Sequence, residues 1–313
     1  MTTATTLDHA CRKAAVHSID HYALTVPDLD LAGHFYTAFG LEVAHENGGL
    51  ALRAQDGHVW ARIYEGERKA LAYLSFNCFE EDLPGMRRQL DEAGVAAAGD
   101  APRATREGIW FRDVDGNLIQ VKSGPKTMPD AKPPLRDIHV PADRRGASLR
   151  KQVAQVRPRR LSHVLLFTPD VSRTLDFYVK TLGLRLSDRS GENIAFTHAP
   201  HGCDHHLVAF ARSTARGWHH AAWDVASIDE VGQGAAQMAA AGYRQGWGTG
   251  RHVLGSNFFH YVRDPWGSYC EYSADIDYIS AGYEWPAGDF EPEDSLYQWG
   301  PDVPPEFIQN TEA

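Results

Sequence analysis

The chain repeats itself, and a duplication constrains architecture more than any single motif. The segment HYALTVPDLDLAGHFYTAFGL beginning at His21 answers to HVLLFTPDVSRTLDFYVKTLGL beginning at His163. Each reads as an alternating apolar strand, a Pro-Asp turn, an amphipathic helix carrying Phe-Tyr, and Gly-Leu. Further on, ALAYLSFNCFEEDLPGMRRQLDEAG answers to HHAAWDVASIDEVGQGAAQMAAAG, a strand and then a helix closed by glycine. Finally WFRDVDGNLIQVKSG answers to YVRDPWGSYCEYSAD, two strands about a turn of Asp, Gly and Pro.

Each half therefore reads as strand, helix, three strands, helix, two strands. The expected fold class is α+β, with tandem βαβββ modules forming two partial-barrel domains on mixed sheets. Residues 1–125 form the first domain and 161–275 the second. Residues 126–160, rich in Pro, Lys and Arg, are the connector, whose charge is expected to be solvated. Residues 276–313 have no counterpart in the first half; their prolines forbid a long helix and their aromatics suggest a strap packed on the second domain.

Composition narrows the functions. A net charge of -10 opposes a general grip on nucleic acid, which needs a cationic surface. No apolar run is long enough to cross a bilayer, and the N-terminal segment lacks the apolar core of a secretory signal, so a cytoplasmic location is expected. Cys11, Cys78, Cys203 and Cys270 form no CxxC pair and read as buried reduced thiols.

Three polar residues stand in apolar strands of the second half: His163, His220 in GWHHAAWDV, and Glu271 in SYCEYSA. Two neutral imidazoles and one carboxylate suit a mononuclear Fe(II) that must keep open positions for substrate and dioxygen. The first half is an internal control. It keeps His21, but Tyr73 stands near the position of His220 and Gln120 at that of Glu271. Packing alone would not require a carboxylate in one copy only, since a buried carboxylate is costly unless paired or metal-bound.

The run His252-VLGSNFFH-Tyr261-VR-Asp264-Pro265-W-Gly267-SYC-Glu271 resembles the signature of the type I extradiol dioxygenases of the vicinal oxygen chelate superfamily, and the resemblance covers nearly the whole chain. It implies extradiol cleavage of a catecholic ring by dioxygen at Fe(II), with Mn(II) able to use the same ligands, and a first domain that has lost its metal. It carries His206 to the histidine beside bound oxygen. His205 remains the alternative, because strand alternation lets only one of the two face inward. His252 and Tyr261 would bond the substrate hydroxyls, and Tyr261 aligns with Trp110 in the first half. His260 departs from the pattern, which has an apolar residue there.

The expected partners are a catecholic small molecule and O2, in a homo-oligomer. By analogy the tail points to monocyclic catechols with polar substituents, such as homoprotocatechuate or trihydroxytoluene, with the connector arginines and His260 contributing to recognition. Tyr283, Trp285 and Phe290 are the candidate cover of the site. His219 is expected on the opposite side of its strand from His220, Asp264 in the hairpin turn, and His198 and His201 in loops. The rivals are a non-oxidative isomerase or lyase of glyoxalase type, which usually draws ligands from both halves, and a protein that only binds a small aromatic.

Overall fold

A computed structural model describes residues 13–99, 107–136 and 140–313; Cys11 lies outside them. The first half runs β1 (Val16–Val26), α1 (Leu29–Phe39), β2 (Glu42–Glu46), β3 (Gly49–Arg53), β4 (Val59–Glu65), β5 (Ala70–Cys78), α2 (Leu83–Glu92), β6 (Ile109–Arg112) and β7 (Leu118–Ser123). The second half runs β8 (Arg160–Thr168), α3 (Val171–Leu182), β9 (Arg185–Ser190), β10 (Ile194–His198), β11 (Cys203–Asp204), β12 (Val208–Arg212), β13 (Gly217–Asp224), α4 (Ile228–Ala240), β14 (Gly246–His252), β15 (Phe258–Arg263) and β16 (Tyr269–Ala274). The tail adds β17 (Tyr278–Ile279), β18 (Gly288–Asp289) and β19 (Tyr297–Trp299).

Four strands rather than three separate the first two helices. The additional strand was hard to read because β2, at the sheet edge, has no buried face and so no apolar alternation.

The repeated Pro-Asp and Gly-Leu pairs prove to be helix boundaries. Asp28 accepts from the amide of Leu31 at 2.8 Å, and Asp170 from that of Arg173 at 2.9 Å, each capping its helix. Gly40 ends α1 with φ +101°, and a Cβ there would lie 2.0 Å from the carbonyl oxygen of Val156, so the position requires glycine twice over.

Two α+β, sheet-dominated modules result. The first sheet has the order β2-β3-β4-β1-β5-β7-β6 and the second β18-β9-β10-β12-β8-β13-β16-β15-β14-β19. At the centre of each, two antiparallel strands are flanked by parallel neighbours: β4-β1-β5-β7 corresponds to β12-β8-β13-β16. One apolar core runs through both modules, joined by Phe39 stacked on Tyr272 at 4.0 Å and Tyr22 against Trp218 at 4.6 Å. Lys69 of the first half is buried against the second, where its ammonium meets Ser268, the carbonyl of Trp218 and Glu312.

The end of the connector is not the solvated surface expected. Arg160 is buried and paired with Asp204, while Arg159 binds Asp224 through two contacts of 2.7 and 3.0 Å. Buried carboxylates on β11 and β13 require these cations. The tail is ordered by pairing: β17 joins β11, β18 runs beside β9, and β19 completes the edge at β14. Cys78, Cys203 and Cys270 are free and buried. Among the described residues no helix is long and apolar enough to cross a membrane.

Candidate metal centre

Strand register brings His163, His220 and Glu271 together. On β8 and β13, Ala222 lies opposite His163 and Leu165 opposite His220; on β13 and β16, Ala222 lies opposite Glu271. The three side chains are buried, and one donor atom from each lies within 4.8 Å of the others. Glu271 Oε2 is 3.4 Å from His163 Nε2 and 3.5 Å from His220 Nε2.

The outer atom of each side chain already has a partner. His163 Nδ1 is 3.1 Å from Ser162 Oγ, which itself donates to Asp204. His220 Nδ1 is 2.6 Å from His219 Nδ1. Glu271 Oε1 accepts from Asn257 Nδ2 at 2.9 Å. The inward atoms His220 Nε2 and Glu271 Oε2 are buried without a hydrogen-bond partner. Imidazoles anchored through their outer nitrogens, with His220 Nε2 and the carboxylate oxygen left without a hydrogen bond between them, have the chemistry of a divalent-metal site.

The register also settles the comparison with the first half. Ala23 lies opposite Tyr73, Ser75 opposite both His21 and Gln120, and Gln120 opposite Trp110. Tyr73, Gln120 and Trp110 thus occupy the places of His220, Glu271 and Tyr261, which lies opposite Glu271. Hydrogen bonds fill the first-half site: His21 Nε2 is 2.9 Å from the Tyr73 hydroxyl, and Gln120 accepts from Ser75 at 2.7 Å.

A cavity of about 320 Å3 adjoins the triad, lined by His206, His252, Tyr261 and Asn257 together with Leu165, Ile194, Phe196 and Leu254. His206 packs on His163 with ring centroids 3.9 Å apart. Burial, and then the proximity of His163, hold its pKa well below the usual histidine value. His252 Nδ1 is 2.6 Å from the carbonyl of Leu296, so it carries the hydrogen; its Nε2 then accepts from Tyr261 at 2.9 Å. Burial pushes the Tyr261 phenol well above its usual pKa.

Both His-His pairs depart from simple strand alternation. A register shift between Trp218 and His220 keeps His219 beside His220, and both line the cavity; His219 is buried under the tail rather than turned to the far side. His205 and His206 sit in irregular chain between β11 and β12; both are buried, and His206 lines the cavity. His198 ends β10, with Nδ1 2.8 Å from Ser187, rather than lying in a loop, whereas His201 does lie in a turn. Asp264 organises the β15–β16 turn by accepting from the amides of Trp266 and Ser268.

Other residues cover the site than those expected. Pro292, Ser295, Leu296, Phe307 and Ile308 line the cavity; Tyr283, Trp285 and Phe290 do not, and Tyr283 is 54% exposed. Neither His260 nor a connector arginine lines it; Arg212, itself exposed, and Asn193 do. Asn257 escaped the sequence reading although it lies inside the His252–Tyr261 run.

Residues 18–121 and 160–272 match the glyoxalase/bleomycin resistance protein/dioxygenase superfamily, and the chain belongs to it. It is 66% identical over 299 residues to metapyrocatechase 2 of Cupriavidus necator, covering 96% of this chain and 93% of that one. It is 27% identical over 273 residues to biphenyl-2,3-diol 1,2-dioxygenase of Paraburkholderia xenovorans (strain LB400), covering 82% and 87%. Among solved structures, the Mn(II)-bound glyoxalase from Novosphingobium aromaticivorans superposes with a TM-score of 0.73 at 25% identity, over 95% and 99% of the two chains. Homoprotocatechuate 2,3-dioxygenase from Arthrobacter globiformis shares the fold with a TM-score of 0.75 at 19% identity, over 96% and 93%.

Proposed function

We propose that this protein is an extradiol dioxygenase that opens a catecholic ring beside its two hydroxyls and incorporates both atoms of O2, with His163, His220 and Glu271 holding a mononuclear Fe(II). The observation that carries the reading is the inward face of the triad, where His220 Nε2 and Glu271 Oε2 lack a hydrogen-bond partner; among the described residues such a cluster is found only in the half that also has His206, His252 and Tyr261 around a cavity. The 66% identity to a metapyrocatechase over nearly the whole chain supports the reaction class. Fe(II), when bound, supplies the redox chemistry that lets dioxygen react with an aromatic ring; Mn(II) fits the same donors.

The protein's own groups do the rest. With its hydrogen given to His252 Nε2, the Tyr261 oxygen is left as an acceptor where a substrate hydroxyl would enter, easing loss of that hydroxyl's proton. His206 offers a further nitrogen on the His163 side of the cavity. Leu296 and Phe307 keep water from the triad, which strengthens each polar contact inside. The apolar wall of Leu165, Ile194, Phe196 and Leu254 suits a ring with small apolar substituents, while Arg212 and Asn193, which also line the cavity, suit the polar substituents suggested by analogy.

A glyoxalase-type isomerase or lyase is the second reading, favoured by the fold shared with a Mn(II)-bound glyoxalase. Against it, all three donors come from one half. Oxygen uptake and ring-opened product on adding alkylcatechols to the Fe(II)-loaded enzyme test the proposal; no uptake across a broad catechol panel overturns it. The free buried thiols support a cytoplasmic location, and light scattering tests the expected homo-oligomer.

A further inference from the structure

Behind His206 lies a polar chain with no part in the chemistry above. His206 Nδ1 is 3.1 Å from His205 Nδ1, and His205 Nε2 is 2.8 Å from Asp188 Oδ2. All three residues are buried. The tail grips the far end: Asp188 Oδ1 accepts from the amide of Gly288 at 2.8 Å and Oδ2 from the Trp285 indole at 3.3 Å, where β18 pairs with β9. The Trp285 ring stands 5.4 Å from that of His205.

Counting hydrogens fixes the direction of the chain. The Asp188 carboxylate, already facing the Gly288 amide and the Trp285 indole, can only accept, so the hydrogen on His205 lies at Nε2. The Nδ1 of a neutral imidazole protonated there is a lone pair, and the 3.1 Å contact then needs His206 Nδ1–H as its donor. That leaves His206 Nε2 bare for a molecule in the cavity. The other His-His pair follows the same rule: His219 Nε2 donates to the carbonyl of Phe307 at 2.7 Å, and His220 Nδ1 donates to His219.

We infer that Asp188 and His205 are positioning residues that hold His206 in its Nδ1–H tautomer, so that Nε2 meets the substrate hydroxyl as a hydrogen acceptor. The inference rests on the reading that the cavity takes a catechol. When the hydroxyl O–H breaks, its proton forms the N–H bond at Nε2, and the new imidazolium donates through His205 toward the Asp188 carboxylate. Without that anchor His205 is free to carry its hydrogen on Nδ1. It would then turn His206 into an Nε2–H donor, the wrong polarity for accepting the proton.

Imidazole 15N spectra of metal-free protein labelled at histidine distinguish the tautomers and need neither iron nor substrate. His206 is expected as the Nδ1–H form in the wild type. His205→Phe, which keeps a ring but removes the acceptor, should lose that preference. His205→Asn, whose Oδ1 can take the place of Nδ1, should restore it. In the iron-loaded enzyme His205→Phe should lower kcat on an alkylcatechol about 10-fold or more with KM little changed, and His205→Asn should recover most of it. A wild-type Nε2–H tautomer overturns the inference whether or not a variant folds, and so does an unaltered spectrum and kcat in His205→Phe. Because the spectra are recorded without catechol, their failure is distinguishable from failure of the ring-cleavage reading.

Discussion

The backbone carbonyl of Phe307 accepts from Nε2 of His219 at 2.7 Å, and through that one imidazole the end of the chain reaches His220. The Phe307 side chain also lines the cavity. The two roles separate. Phe307→Ala keeps the carbonyl and opens the apolar wall, so KM should rise several-fold with metal content unchanged. Deleting residues 305–313 removes the acceptor as well and should weaken metal binding about 10- to 100-fold, the usual effect of losing an outer-shell partner. Metal content after dialysis and steady-state kinetics measure the two; equal metal retention in both proteins would detach the tail from the metal site.

Glu271→Gln copies the first half, where Gln120 stands at the same place in the register. A neutral amide oxygen is a poor ligand for a divalent ion, so metal binding and turnover should be abolished. Metal-free protein should respond the other way. Glu271 is fully buried and its Oε2 accepts no hydrogen bond, so the amide should stabilise the apo form by about 1–3 kcal/mol. Urea denaturation of both apo proteins checks this; an apo variant less stable than apo wild type would count against an orphaned carboxylate.

That site was legible because the sequence carries its own control. Tyr73, Gln120 and Trp110 align with His220, Glu271 and Tyr261, and apolar alternation placed all of them on strands. What surrounds the triad was not legible, because it depends on contacts without periodicity. His219 and Phe307 are 88 residues apart, and the acceptor is a backbone oxygen, which every residue possesses. Asp188, His205 and Trp285 likewise meet only where β18 adds to β9. The His-His pairs misled through alternation: a register shift at one and irregular chain at the other keep both rings near the site. The tail's aromatics signalled packing but not which of them would face the cavity.

Acid should destabilise the fold through histidines remote from the triad. Burial lowers the pKa of His17, His198 and His260 to about 4. Unfolded histidines bind protons near pH 6.5, so between about 6.5 and 4 the unfolded chain holds more protons than the native one. Stability is therefore full above pH 6.5 and declines as pH falls toward 4. Urea midpoints measured at pH 7.5, 6 and 5 should fall in that order; a level profile would show that these imidazoles are protonated in the native state.

Lys69 and Glu312 tie the first half to the last turn of the chain by a 2.7 Å ion pair whose side chains are 3% and 8% exposed. The ammonium also meets Ser268 and the carbonyl of Trp218, next to the His219-His220 pair. Breaking such a pair from one side leaves a buried charge and costs about 3–5 kcal/mol, whereas replacing both partners with neutral groups costs much less. Lys69→Met should therefore lower the denaturation midpoint more than the double variant Lys69→Met, Glu312→Gln. Because Glu312 lies five residues beyond Phe307 in the tail, the single variant should also loosen the cover of the cavity. Proteolysis at the C-terminal end should quicken in the single variant and slow again in the double one; equal stability of the two would mean that the pair is solvated and does not fasten the tail.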